Sequence, residues 1–539
     1  MKDGMSVRQI ISMLLACLIL TGCGAKQGTE PAPVKDNVAL SYKSRFDDPT
    51  VITLSDDGIL VDQPDSNTDE NAVLITHDII YYEDREIYDS GNPYGEGEGW
   101  ERHSAEDAAA HTVVNITKPG AYRVEGKLSA GQIRIDLGED AVEDPNAVVE
   151  LILDNADITC TVAPAILFLN VYECDGSRDE ENATPEVDTS AAGANLILEG
   201  SSTVNGSHVA KIFKDKDGEK KLWKQDGAIY SYMSMNVFGP GTLELTADNE
   251  GIGTEMHLTV NDGNLHIYSD NDGINTNEDG ISVTTINGGN LTIFAGLGKE
   301  GDGIDSNGYL VINGGSVIAS AKPASDAGLD SDLGSFIHGG TVIAMGSAMD
   351  WAEGDSEQVT MNLQFAQQQA AGSKITIKKE DGTEIFSFED DGTHSRSFSG
   401  LILSHPYFVQ GETYHIYVDG AQMGYTGTDV GRGPGGRPVD FPEGQRPEMP
   451  EGMEPPEGFE PGQIPENFPE DFDPAKKGVG KRQNPAGMDM TPPEGEKPQD
   501  SFPGREGMQG GNGKARGDFY MNDKVNAFSG VLPMADATK

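Results

Sequence analysis

The chain has 539 residues, with 38 Lys and Arg against 89 Asp and Glu, for a formal net charge of −51. A surface this acidic repels nucleic-acid phosphates and anionic lipid headgroups, which excludes DNA and RNA and leaves cations and neutral ligands as partners. Glycine, at 68 residues, is roughly one in eight against a usual ~7%, and points to turn-rich β structure rather than helix bundles.

In chain order, Lys2 and Arg8 precede an apolar run from Ile10 to Leu20, well short of the ~20 residues that span a bilayer. Residues 1–22 are therefore read as a signal peptide. It ends in Leu20-Thr21-Gly22-Cys23, which resembles a bacterial lipobox. That resemblance implies acylation of Cys23 and an extracytoplasmic lipoprotein anchored at the cell surface. Residues 23–40 read as a polar tether and 41–110 as an acidic, aromatic-spotted N-terminal cap region. Cys160 and Cys174 remain for an oxidising compartment. They form either a disulfide, worth on the order of 3 kcal/mol, or two buried free thiols on neighbouring strands.

Residues 111–350 repeat. Five segments align, from Asp226-Gly-Ala-Ile-Tyr-Ser-Tyr232 and Asn249-Glu-Gly-Ile-Gly-Thr-Glu255 to Asn271-Asp-Gly-Ile-Asn-Thr-Asn277, Gly301-Asp-Gly-Ile-Asp-Ser-Asn307 and Asp326-Ala-Gly-Leu-Asp-Ser-Asp332. Their Ile or Leu positions (229, 252, 274, 304, 329) lie 23, 22, 30 and 25 apart. Strand, Asn-Gly-Gly or its equivalent, strand fills the gaps, as in Val283-Thr-Thr-Ile-Asn-Gly-Gly-Asn-Leu-Thr-Ile293. Short strands at this period, without intervening helices, predict an all-β solenoid, a right-handed parallel β-helix. A β-rich C-terminal cap follows over 351–428. Residues 429–516, rich in Pro, Gly and Glu, are predicted to be disordered. Residues 517–539 can return as a terminal strand through Val525, Phe528 and Val531.

Strand alternation sends the Ile column and the hydroxyl column (Ser231, Thr254, Thr276, Ser306, Ser331) inward, with the hydroxyls bonding from repeat to repeat. The glycine before each Ile or Leu is expected to permit a tight bend. The residues between and beyond point outward as columns of oxygens: Glu250, Asp272, Asp302 and Asp326 in one; Asn277, Asn307 and Asp332 in another; Asn275, Asp305 and Asp330 beside them. At a strand spacing of about 4.8 Å such carboxylates repel by about 1 kcal/mol per pair even in water. Six to eight hard oxygens in flexible geometry are what Ca²⁺ takes, so these ten residues are the predicted ligands. Tyr230, Tyr232 and Trp223 are the aromatic candidates for stacking on a sugar.

The string Gly301-Asp-Gly-Ile-Asp-Ser-Asn-Gly-Tyr-Leu-Val-Ile-Asn-Gly-Gly-Ser-Val-Ile318 resembles the bacterial carbohydrate-binding domain-containing family of calcium-binding right-handed β-helices. Gly120-Ala-Tyr-Arg-Val-Glu-Gly-Lys-Leu128, Val149-Glu-Leu-Ile-Leu-Asp-Asn-Ala-Asp-Ile158 and Gly400-Leu-Ile-Leu-Ser-His-Pro406 extend the likeness over about residues 110–428. It implies a polysaccharide-lyase-like fold that binds plant-type polysaccharide such as cellulose or pectic acid. The expectation is a monomeric, non-catalytic binder. One alternative is a calcium-dependent polyuronate lyase with Lys299 or Lys322 as base. Another is a structural envelope spacer.

Overall fold

Sequence repetition becomes stacking in space. The computed structural model describes residues 42–64, 71–82, 101–176, 180–216, 219–323, 325–347, 350–389, 392–428 and 515–534, with backbone alone for 211–216 and 219–223. The predicted signal peptide, Cys23, the predicted tether and the Pro-rich stretch up to 514 lie outside them. The described residues belong to one structural unit, and a second, Asp440–Gly513, falls wholly outside them.

The described chain is all-β. Its α-helix among these residues is the five-residue Ala105–Ala109, which Ser104 caps by accepting from the Asp107 amide. The strands form a 24-stranded sheet, an eight-stranded sheet and a two-stranded hairpin, Val209–Lys216 with Glu219–Gln225.

Each repeat contributes to three parallel ladders. The first runs through Val149–Thr159, Ala194–Glu199, Met235–Phe238, Leu258–Val260, Val283–Ile286, Tyr309–Ile312 and Gly334–Ile337. The second runs through Ser201–Gly206, Thr242–Ala247, Asn264–Ser269, Asn290–Phe294, Ser316–Ser320 and Thr341–Gly346. The third, most of the eight-stranded sheet, runs from Thr112–Ile116 through Gly131–Asp136, Ile166–Asn170, Gly227–Ser231, Glu250–Thr254 and Ile274–Thr276 to Ile304–Ser306. The sheets are nevertheless mixed. Val73–Thr76 adds antiparallel at one edge, and Phe398–Ser404 pairs antiparallel with Thr341–Gly346 at the other end.

Ile229, Ile252, Ile274 and Ile304 are register partners in the third ladder, and Leu329 joins Ile304 through an isolated bridge. All five are 0% exposed. Burying each such side chain contributes about 1.5–3 kcal/mol, so this column is a main source of cohesion. The hydroxyl column is buried too, but its bonds differ from expectation. Thr276 and Ser306 meet across repeats at 2.8 Å. Ser231 and Thr254 instead donate to carbonyls two residues on, Met233 and Met256, because the chain turns there. Asparagines make a better inter-repeat column: Asn287 donates to Asn261 at 3.0 Å and Asn313 to Asn287 at 2.9 Å.

The glycines divide into two kinds. Gly289, Gly315 and Gly340, second in each Gly-Gly pair, have φ of +83°, +78° and +85°, the left-handed turn that favours glycine. Those before the Ile or Leu do not bend the chain. A Cβ at Gly273 would lie 2.1 Å from the Ile293 side chain, and one at Gly303 would lie 2.4 Å from the Gly328 carbonyl oxygen. Close approach of the next repeat, not a tight bend, requires them.

Beyond the repeats a second core gathers Met361, Leu363, Phe365, Ile375, Ile377, Leu401, Tyr414 and Phe519. Val525–Pro533 pairs parallel with Thr360–Gln369 and buries Phe528 and Val531 in that core. Tyr425 bridges Arg516, and Gly427 bridges Ser529. Arg516 is therefore paired in a strand-like bridge.

Candidate functional site: the outer face of the third ladder

Register places the oxygen-bearing residues as alternation requires. Tyr230 pairs with Gly253, Gly253 with Asn275, and Asn275 with Asp305. The face is not the solvated surface that alternation alone suggests. Glu250 is 2% exposed, Asp272 7%, Asn275 6% and Asn277 7%. Asp302, Asp305, Asn307, Asp326 and Asp330 are half-buried, and Asp332 is exposed.

Gly253 explains the burial of Glu250. Lacking a side chain in the Asn/Asp column, it leaves room for the Tyr230 ring: an added Cβ would sit 2.8 Å from that ring and 3.0 Å from Glu250 Oε2. Tyr230 lies across the gap, 0% exposed, and its phenol donates to Glu255. Tyr232 packs edge-on against it at 5.4 Å between centroids. This corrects the sequence expectation for Tyr230, which is part of the wall and has no face free to stack on a sugar. The Trp223 side chain lies outside the described residues.

The hydrogen bonds leave acceptors over. Asn275 donates to Glu250 Oε1 at 2.8 Å, the Asp302 amide to Asp272 Oδ1 at 2.7 Å, and the Gly301 amide to Asp326 Oδ2 at 2.9 Å. Asn277 and Asn307 spend their amide donors on the carbonyls of Thr254 and Asn277, at 3.2 and 2.8 Å. Three buried oxygens then have no donor: Glu250 Oε2, Asn275 Oδ1 and Asn277 Oδ1. An orphaned buried acceptor costs about 1–3 kcal/mol, so three on one face are a strong demand for a donor or a cation.

Electrostatics say the same. Burial, with the charges of Asp226 and Asp272 adding and Lys224 opposing, pushes Glu250 up to about 8. Burial raises Asp272 to about 7, with Asp326 and Asp330 adding to it. Asp302 and Asp305 are driven well above the carboxylate range by burial and by Asp272 and Asp330. Asp350, absent from the sequence-derived ligands, is raised to about 8 by burial and by Asp330. Lys224 is also new. Its ammonium lies 3.1 Å from Asp226 and holds its proton more tightly than an ordinary lysine against Asp226 and Glu250.

Among the described residues, no three His, Cys, Asp or Glu side chains already converge as metal ligands. The donors that do gather mix carboxylates with amide oxygens, a hard set suited to Ca²⁺ and unsuited to softer metals. Neither Asp350, outside the aligned motifs, nor Lys224, just before the first, could be found by repeat alignment.

The remaining predicted residues are dispersed. Lys299 is exposed in the Gly296–Gly301 insertion. Lys322 donates to the Gly298 carbonyl at 3.1 Å and to that of Lys299, so its ammonium fastens the loop. The two cysteines are free, which corrects the disulfide expectation. Cys160 is 1% exposed in the main core at the end of Val149–Thr159. Cys174 lies in a loop, on the wall of a cavity of about 190 Å³ with Asp175 and His257. Burial pushes both thiols up to about 12.

Comparison with known proteins adds three findings. The family described as "Carbohydrate-binding domain-containing protein" matches residues 110–402. A protein of that description from Acetivibrio thermocellus is 26% identical over 266 residues, 49% of this chain and 66% of the relative, just under two thirds of its length. A solved polysaccharide lyase-like protein from C. thermocellum, a gadolinium derivative, is 20% identical and covers 54% of this chain and 92% of its own. Its TM-score of 0.31 is too low for that likeness to bear on the architecture.

Proposed function

The chain belongs to the carbohydrate-binding domain-containing family, and from that premise we propose a calcium-stabilised, non-catalytic binder of cellulose- or pectic-acid-type polysaccharide. Its three ladders wind as a right-handed parallel β-helix, and Ca²⁺ holds the outer face of the third. The observation that carries the calcium reading is the set of orphaned acceptors, Glu250 Oε2, Asn275 Oδ1 and Asn277 Oδ1, among carboxyls raised by burial and by one another. Asp272, Asp302, Asp305 and Asp330 would share the ion or ions with those amides, and Asn307, Asp326, Asp332 and Asp350 border them. Bound Ca²⁺ would neutralise the stacked carboxylates and offer open positions to sugar hydroxyls or uronate oxygens.

The lipobox-like Leu20-Thr21-Gly22-Cys23 supports an anchor on the outer surface of a bacterial membrane. A lyase would need a free base beside the bound sugar. The ammonium of Lys322 is engaged with loop carbonyls, which favours binding without cleavage. The test is retention of the full chain on insoluble cellulose and on pectic acid, with Ca²⁺ and with chelator, while following absorbance from unsaturated products. Retention without new absorbance is expected. Absorbance growing with time would replace the binder with the lyase, and no retention on either polymer would leave the envelope-spacer reading.

A further inference from the structure

A second group of sugar-suited side chains lies away from the oxygen face, on the outside of the second ladder. Tyr268 and Phe294 are register partners on neighbouring strands, Asn264–Ser269 and Asn290–Phe294. Their rings stack 5.8 Å apart at 20°. His394 closes on them, 4.6 Å from Tyr268 and 6.0 Å from Phe294. Phe294 is 7% exposed and backs the half-buried Tyr268, which presents the accessible ring.

The chain leaves Phe294 directly into the Gly296–Gly301 insertion. Amides of Leu297 and Gly298 fasten it to the Ser269 and Asp270 carbonyls, at 3.0 and 2.9 Å, just past Tyr268. Arg396 Nη2 donates to the Gly296 carbonyl at 2.6 Å, and Lys322 holds the same loop. The Arg396 Nε–H is buried without an acceptor. In a chain with 38 basic residues against 89 acidic ones, Arg396 and Lys322 meet at the loop that carries Lys299, with Asp270 beside Arg396. Rings and cations together match one ligand chemistry. A pyranose packs its C–H face on an aromatic ring, and a carboxylate takes charge-assisted hydrogen bonds from a guanidinium.

We infer that the Tyr268–Phe294–His394 surface is a subsite for an acidic pyranose, a uronate unit of a polysaccharide, stacked on Tyr268 with its carboxylate toward Arg396. This rests on the polysaccharide reading above, but it differs in mechanism. The third-ladder face meets a uronate through Ca²⁺, whereas this subsite meets it directly and keeps working in chelator.

The experiment is affinity electrophoresis of the full chain in chelator, with polygalacturonate and its fully methyl-esterified form. Wild type should prefer the acid form and lose that preference as salt rises. Arg396→Gln should weaken binding of the acid form about tenfold and leave the ester unchanged. Arg396→Lys, which keeps the charge, should recover part of the loss, separating recognition from anchoring of the loop. Tyr268→Ala should weaken both forms about tenfold, and Tyr309→Ala, on the first ladder, neither. The subsite is overturned if Arg396→Gln affects both forms equally or neither, or if Tyr268→Ala changes nothing. Binding that appears only with Ca²⁺ overturns it alone, and absence of binding even with Ca²⁺ overturns the polysaccharide reading with it.

Discussion

The two halves of the third-ladder face carry the same motif and solve its charge problem differently. At the first repeats Lys224 supplies a built-in cation beside Asp226 and Glu250, while Tyr230 folds over Gly253 and engages Glu255. At the later repeats Asp302, Asp305, Asp330 and Asp350 face one another, and their raised affinity for protons comes from burial and each other. A repeat can thus bring its own counter-ion or depend on one from solution.

That contrast can be broken most forcefully by removing the proposed Ca²⁺. Chelation near neutral pH should lower the melting temperature by about 5 °C, the equivalent of roughly 4 kcal/mol for an ion held far above its dissociation constant. An unchanged melting curve would end the calcium proposal. Next in size, Lys224→Met strips the first half of its internal cation and should cost about 3 kcal/mol in chelator. Added Ca²⁺ should recover part of this by taking the ammonium's place. Equal loss with and without Ca²⁺ would show that the first half cannot use an outside ion.

A pH series on chelated protein probes the later half. Unfolded carboxyls are ionised above about pH 5, whereas Asp272 keeps its proton to about 7 and Asp350 to about 8 in the fold. The native state then binds more protons than the unfolded one, so stability should fall from about pH 5 to about pH 9. The expected loss is several degrees in melting temperature, and Ca²⁺ should abolish it; a flat profile in chelator would mean that the acids are already compensated. Smallest, Asp305→Asn removes one mutual repulsion and should raise stability in chelator by about 1 kcal/mol. The same change should weaken Ca²⁺ binding, read by titration calorimetry. A loss of stability in chelator would place Asp305 in a structural bond instead.

Much of this was legible in the sequence where spacing carried the information. The Ile column and the Asn-Gly-Gly turns recur at intervals that only stacked short strands satisfy, and the all-β architecture follows from them. The state of the outer face was less legible. Alternation separates one side of a strand from the other, but it does not say whether the outer side is wet. The burial of Glu250 depends on Tyr230 crossing a glycine, and the charge balance of the face on Lys224 ahead of the first motif and Asp350 beyond the last. The choice between the two cysteine readings was illegible for a related reason. Compartment and loop length favour a disulfide, but one thiol lies in the core and the other at a cavity wall.

The pairing of Val525–Pro533 with Thr360–Gln369 has a consequence for handling the protein. The described residues stop at Thr428 and resume at Ala515, and on both sides the chain is bridged, Tyr425 to Arg516 and Gly427 to Ser529. The residues flanking the acidic, proline-rich stretch are fastened on both sides. A protease that cuts within it should therefore produce two fragments on a denaturing gel and one undivided particle by native size exclusion. The short C-terminal fragment should stay seated until the second core itself melts.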